Sequence, residues 1–267
     1  MKKLDLVQLK QIQLDILDKI SSFCDSNNIR YYLVGGTLLG AVRHKGYIPW
    51  DDDIDIAMLR KDYEEFIKQF NVDGYKVFTY KNSDKYCFPF AKIAKTNTLL
   101  IEPYETFSDC EIGINIDLFP IDSISKNITL QKFTIESIKI IRFILSLRLS
   151  IPSEKRVFYK RLLLLIIKKV VSVKMLLTLI NNIAKFKEAE RSELLGIFVW
   201  GYGYKEIISR KYFSEVIKIE FENRIYNAPI GYDGYLSHVY GDYMKLPPTE
   251  KRVTHHDFKA YWKEIEQ

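Results

Sequence analysis

The chain has 267 residues, of which 47% are hydrophobic and 14% aromatic, with 40 Lys+Arg against 34 Asp+Glu and only 12 Gly and 8 Pro. This composition excludes disordered, collagen-like and low-complexity proteins, and the length suits one large domain or a domain carrying a sizeable insertion. Cys24, Cys87 and Cys110 are odd in number and form no CxxC or Cys/His ligand spacing, which argues against a disulfide framework and a structural zinc site and favours a reducing, cytoplasmic compartment.

Met1-Lys2-Lys3 is followed by Asp5, Lys10 and Asp15, too much charge for a signal peptide, so the N-terminus reads as the start of a helix. Ile12, Ile16, Ile20 and Phe23 recur at helical spacing until Asn27-Asn28, ahead of a β-rich run over residues 29–34. Gly35-Gly36 then places a sharp turn at a helix N-terminus, and Thr37 opens a short helix reaching Arg43. Asp51-Asp52-Asp53 leads into an alternating strand over residues 54–58, and residues 61–70 form a helix with Tyr63, Phe66, Ile67 and Phe70 on one side. Strands are expected at 75–80, 86–95, 98–102 and 112–118, giving a mixed sheet with few crossover helices. From residue 130 to 187 the pattern changes to long helices rich in Ile, Leu, Lys and Arg, broken near Ile151-Pro152-Ser153. Lys168, Lys169 and Lys174 keep this region from reaching the ~18 to 20 apolar residues that span a bilayer. An aromatic and glycine-rich stretch at 194–204, a β-like pair around Phe213 and Ile225, and a segment at 235–262 with a loop at Pro247-Pro248 complete the chain.

Charge is distributed unevenly. Residues 126–187 hold fourteen basic and two acidic side chains, a net +12, so the rest of the chain carries −6 of the total +6. The sign of the middle segment favours an anionic partner.

Asp53 and Asp55 are two apart in the expected strand, so their carboxylates share one face while Ile54 and Ile56 point to the core. Oxygen ligands of this kind suit Mg²⁺ or Mn²⁺ shared with substrate phosphates. Asp117, between Ile116 and Leu118, offers a third carboxylate from another strand. Asp51 joins the same face if the strand extends back that far, whereas Asp52 points the other way, as a solvated or helix-capping charge. A lone DxD is more often a pair of solvated strand-end charges. Here the glycine turn upstream and the third Asp downstream shift that balance.

Gly35-Gly36-Thr37, then Asp53-Ile54-Asp55, then Asp117 resembles the nucleotidyltransferase (polymerase β-like) fold, an α+β mixed-sheet core to which the middle helices would be an insertion or subdomain. The whole run from Val34 to Asp55, VGGTLLGAVRHKGYIPWDDDID, resembles the signature of the LicD family, the phosphocholine transferases of bacterial surface polysaccharides. More distantly it is similar to fukutin-related protein, a ribitol-phosphate transferase. Tyr240-Gly241-Asp242-Tyr243-Met244-Lys245-Leu246-Pro247-Pro248, with His255-His256, resembles the end of LicD proteins. The likeness covers residues 30–120 and 230–260 and implies a catalytic core over 1–125, a basic helical insertion over 126–205 and a C-terminal part, 206–267, that completes the core.

The resemblance implies that a sugar hydroxyl attacks the phosphorus bearing choline in CDP-choline and that CMP leaves, with divalent metal on the phosphates. Asp53 and Asp55 would ligate metal, and Asp117 would complete the site or accept the hydroxyl proton. The amides of Gly35 and Gly36 would face a phosphate, with Thr37 adding a hydroxyl, and Arg43 and Lys45 would clamp the diphosphate. Trp50 and Tyr47 flank the acidic loop, and Tyr31, Tyr32, Tyr240 and Tyr243 lie in or beside the motifs, so each is a candidate aromatic face for choline. His44 reads as a structural hydrogen-bonding residue. The acceptor is expected to be a lipid-linked glycan or teichoic acid precursor. The basic, aliphatic middle helices would bring a cytoplasmic enzyme to an anionic membrane at its inner face.

Three alternatives stand beside this reading. Another phospho-alcohol (ribitol, glycerol or ethanolamine) would be carried by the same chemistry, and a true nucleotidyltransferase would release pyrophosphate from an NTP instead. A basic binding module is the third, but nucleic acid is not the expected partner: the positive charge is interleaved with aliphatic rather than stacking aromatic residues.

Overall fold

The computed structural model describes residues 1–83, 85–101, 111–150, 168–185, 192–254 and 259–263. Residues Lys2–Leu4 form strand β1, not the helical start that the sequence suggests, and helix α1 (Leu6–Asn27) follows. The boundary is set by a capping box: the Asp5 carboxylate accepts the Gln8 N–H at 2.8 Å while Gln8 Oε1 accepts the Asp5 N–H at 3.1 Å, worth about 1 kcal/mol. Asn28, in the left-handed region at φ 54, ends the helix. Leu9, Ile12, Ile16, Leu17, Ile20 and Cys24 form its buried face, each aliphatic contributing about 1.5 to 3 kcal/mol.

Next come β2 (Tyr32–Leu33), α2 (Gly35–His44), β3 (Asp55–Leu59), α3 (Arg60–Gln69), β4 (Tyr75–Phe78), β5 (Ala91–Lys95), β6 (Thr98–Ile101) and β7 (Asn115–Ile124). Helices α4 (Ile128–Leu149) and α5 (Val173–Ala184) precede the short strands β8 (Leu194–Gly196) and β9 (Ile208–Ser209). The chain finishes with β10 (Val216–Phe221), β11 (Arg224–Pro229), α6 (Tyr232–Tyr240) and β12 (Lys259–Trp262).

The main sheet has seven strands, ordered β2-β3-β7-β5-β4, with β8 on β7 and β9 on β8. Its one parallel pairing, β3 with β7, sets Asp55 opposite Asp117. The other pairings are antiparallel, as hairpin-rich mixed sheets require. A second sheet, β1-β12-β6, ties both ends of the chain together, and β10 and β11 form a hairpin whose tip residues Glu222 and Asn223 are both left-handed.

Several expected strands differ. The strand foreseen from residue 86 starts only at Ala91: Pro89 offers no N–H to a ladder, and the Tyr86 hydroxyl donates to the Phe90 carbonyl at 2.9 Å, closing a loop. β7 begins three residues later than foreseen and runs to Ile124, because its second half pairs with distant β8, Asp122 opposite Gly196. Phe213 lies in a 3₁₀ turn, with the hairpin after it. Glu102, the break at Ile151-Pro152-Ser153 with the helical stretch expected after it to residue 167, and His255-His256 lie outside the described residues.

Helices α4 and α5 pack on each other, burying Ile135, Ile138, Ile141 and Leu145 against Leu176, Leu177 and Ile180. A buried polar knot fixes α5 to the sheet. Arg60 grips Asp122 with two hydrogen bonds (2.7 and 2.5 Å) and reaches Asn181 Oδ1 at 3.2 Å, while Asn181 donates to the Pro89 carbonyl at 2.9 Å. β8, inside the span 126–205, belongs to the main sheet. Among the described residues no helix is long and apolar enough to cross a membrane.

Candidate active site

The site gathers where α2 starts, above the first residues of β3 and β7. Gly35 and Gly36 form the first turn of α2 itself, so the helix begins two residues before Thr37. Gly35 adopts φ +57, and a Cβ there would sit 3.3 Å from Asp55 Oδ2; one on Gly36 would meet Asp51 Oδ2 at 2.7 Å. Only glycine lets backbone and carboxylates approach this closely. Val34, the N-cap, supplies no side-chain cap, which leaves the helix end suited to an anion. The Thr37 hydroxyl accepts the Asp55 N–H at 2.8 Å, locking the helix to β3.

The acidic run is not strand. β3 starts at Asp55, so the alternation that would place Asp51, Asp53 and Asp55 on one face does not operate before that residue. A loop brings them together instead: Asp51, Asp52 and Asp53 each present an oxygen within 4.8 Å of one another. Asp52, foreseen as solvated, is buried, and its carbonyl accepts from Gln13 Nε2 at 3.0 Å. The same Gln13 holds Tyr47, whose hydroxyl donates to Gln13 Oε1 at 2.9 Å. Burial pushes the Asp55 carboxyl well above the usual range, and the carboxylates of Asp53, Asp117 and Asp51 push it further, opposed by Lys92. Crowded oxygens of like charge fit a hard divalent cation, so the donor set is compatible with Mg²⁺ or Mn²⁺.

Lys92 escaped the sequence reading. It is 7% exposed on β5, directly opposite Asp117, and its ammonium reaches Asp117 Oδ1 at 2.6 Å and Asn115 Oδ1 at 3.1 Å. Its only sequence signal is a charge inside the apolar run Ala91–Ala94. Glu222 was missed too. It reaches from the hairpin tip to accept the Tyr47 N–H at 3.0 Å, and its own N–H donates to the Lys45 carbonyl at 2.8 Å, so the C-terminal hairpin clamps the motif loop.

The remaining foreseen residues spread out. Arg43 Nη1 donates to the Tyr243 carbonyl at 2.7 Å, tying α2 to the segment after α6, and its Nε donates to His44 Nε2 at 2.9 Å. His44 therefore acts as a neutral acceptor, its pKa lowered by burial and by Arg43. Lys45 is exposed at the helix end. Trp50 packs edge-on to His44 at 6.4 Å and carries Arg252 over its ring at 5.7 Å, which places a cation where a choline face was foreseen. Tyr31, Tyr32 and Tyr47 are buried core residues. Tyr240 stands at the site: its hydroxyl lies 3.9 Å from where a Gly35 Cβ would be, and Tyr235 beside it accepts the Gly35 N–H at 3.3 Å.

A family model described as LicD/FKTN/FKRP, nucleotidyltransferase domain, matches residues 28–158. The chain is 32% identical to lipopolysaccharide cholinephosphotransferase LicD of Haemophilus influenzae, over 98% of this chain and 99% of that protein. It is 42% identical to an uncharacterized protein of Rickettsia typhi over 28% of this chain and 23% of that one. A shorter stretch, 14% of this chain and 8% of the relative, is 47% identical to ribitol 5-phosphate transferase FKRP of Homo sapiens.

Proposed function

The chain belongs to the LicD family, and from that premise we propose that it transfers phosphocholine from CDP-choline to a sugar hydroxyl of a cell-surface glycan or teichoic acid precursor, releasing CMP. The observation that carries this reading is the convergence of an uncapped glycine helix start on Asp51 and Asp55, with Asp117 directly across the parallel ladder from Asp55. In this reading the core is of the polymerase β-like kind, formed by residues 1–125 and 206–267 with β8 joined to its sheet, and the helical part of 126–205 is inserted between them.

The Gly36 amide faces the donor phosphate, the Gly35 N–H being held by the Tyr235 hydroxyl, and the positive end of α2 favours the phosphate charge. Asp53, Asp55 and Asp117, with Asp51, would hold Mg²⁺ or Mn²⁺, which neutralises diphosphate charge when bound. The acceptor oxygen forms a bond to the phosphorus bearing choline as the bond to the CMP oxygen breaks. The hydroxyl proton passes to a carboxylate of this cluster. Lys92 keeps Asp117 turned toward the cluster and offsets part of its charge. Arg43 and Glu222 act at a distance, Arg43 by tying α2 to the segment after α6 and Glu222 by holding the start of the motif loop at Tyr47.

The acceptor side falls on α4 and α5. Phe133, Ile140 and Phe143 on α4 and Met175 and Leu179 on α5 are exposed among the basic side chains of the +12 segment, a combination suited to an anionic bilayer and so to a lipid-linked acceptor.

Product analysis tests the reaction. The protein is incubated with Mg²⁺ and CDP-choline, CDP-ribitol, CDP-glycerol, CDP-ethanolamine or CTP. CMP from CDP-choline is expected. CMP from another CDP-alcohol keeps the chemistry and changes the cargo, whereas pyrophosphate from CTP overturns the reading in favour of nucleotidyl transfer.

A further inference from the structure

Beside the phosphate-facing turn lies a group of side chains that the transfer, as derived, leaves unused. Glu206 is 3% exposed; its Oε1 accepts the Tyr202 N–H at 3.3 Å, and its Oε2 has no hydrogen-bond partner of good geometry. Burial pushes its carboxyl up to about 7. A Cβ on Gly201 would lie 2.5 Å from Glu206 Cγ, so the backbone of the 196–203 stretch is built closely around this side chain. The Tyr202 and Ile197 backbones are the partners this buried carboxyl has, which leaves its charge poorly compensated and favours a positive charge nearby.

Two tyrosines lie between Glu206 and the phosphate turn. The rings of Tyr202 and Tyr240 are 6.4 Å apart at 73°, and their hydroxyls share a hydrogen bond. Tyr240 touches the Gly35 and Asp55 end of the pair, while Tyr202 is 65% exposed and presents its ring to an incoming molecule. Tyr240 therefore joins Tyr202 to the phosphate turn, and Glu206 lies behind the Tyr202 backbone, close enough for its charge to act on both tyrosines.

We propose that Tyr202 and Tyr240, backed by the Glu206 carboxylate, form the subsite for a quaternary ammonium head group, so that a donor whose phosphate rests on Gly35-Gly36 lays its cation against these rings. Aromatic faces attract such cations, and the buried carboxylate adds a field that water does not screen. An uncharged polyol gains nothing from that field. The inference rests on the phosphocholine reading and deepens it, by naming the residues that select choline over ribitol.

Calorimetric titration in Mg²⁺ with CDP-choline, CDP-ribitol and CMP, on the wild type, Glu206→Gln and Tyr202→Leu, tests it. The wild type is expected to prefer CDP-choline, and each variant to lose about tenfold in CDP-choline affinity while CMP affinity stays within about twofold. Unchanged CDP-choline affinity in both variants overturns the subsite alone, as does an equal loss for CMP. A wild type that binds CDP-ribitol and ignores CDP-choline overturns the phosphocholine reading and the subsite with it. Tyr202→Leu alters an exposed ring, so the test stands even if Glu206→Gln fails to fold.

Discussion

The sheet end that carries the carboxylates and the helical pair α4 and α5 place charge in opposite ways. Around β3 and β7, Asp52, Lys92, Asn115 and Asp122 are buried and held by named partners, so polar groups are fixed before any substrate arrives. On α4 and α5 the basic side chains share the surface with exposed Phe133, Ile140 and Phe143. Fixed buried charge suits chemistry, because dipoles aimed in advance need no reorganisation at the moment of reaction. Basic charge mixed with exposed apolar rings suits a soft anionic surface. In the proposed function, reaction and approach would be divided between these regions.

The sharpest break of that comparison is in the acidic cluster. Asp55→Asn is expected to lower turnover on the order of a thousandfold with the fold retained; near-normal turnover with unchanged metal dependence removes Asp55 from the site. Asp52→Ala is expected to lower the denaturation midpoint as well as activity, because its buried side chain is lost from the cluster, while the Gln13 bond to the Asp52 carbonyl is kept.

The next effect is a pH dependence. The folded-state pKa of Glu206, about 7 against an ordinary 4.5, means that the folded protein holds this proton more tightly than the unfolded chain. Stability is therefore lost as pH rises from 4.5 to about 7 and is level above, a fall of up to about 3 kcal/mol. Urea denaturation at pH 5 and pH 8 should show a shallower fall in Glu206→Gln than in the wild type. Equal falls would mean that this carboxyl is not buried as described.

Lys92→Met removes the partner of Asp117 and is expected to cost about 2 kcal/mol, less than a fully buried pair because Asp117 is 21% exposed at its side chain. Denaturant midpoints read the cost, and an unchanged midpoint would show the pair to be incidental. The smallest effects per residue lie on the helices. Neutralising Lys168, Lys169 and Lys174 together should weaken binding to phosphatidylserine vesicles by about 1 kcal/mol each and leave CMP release unchanged. Vesicle affinity that does not move would separate the basic segment from any membrane.

The two regions also differed in how far they could be read. α1, α3 and the strand around Asp117 follow from apolar spacing, because burial on one face imposes a period on the sequence. The acidic run was misplaced on a strand, since its spacing imitates alternation while the actual constraint comes from Gln13 on α1. Lys92, Glu206, Tyr202 and Glu222 left almost no local signal. Lys92, Tyr202 and Glu222 act on residues across the fold, as Glu222 does on Tyr47, and such contacts follow from topology, whereas the Glu206 bond to Tyr202 is local and is made significant only by burial. Trp50 looked like a cation face and already holds Arg252.

The central claim, that the glycine turn and the carboxylates bind a CDP-linked donor, is tested most directly by titrating CDP-choline into the wild type and Asp53→Ala, with and without Mg²⁺. Binding that requires Mg²⁺ and is lost in Asp53→Ala is the expected result. CDP-choline binding indifferent to both the metal and the substitution, or binding of CTP in its place, would contradict it.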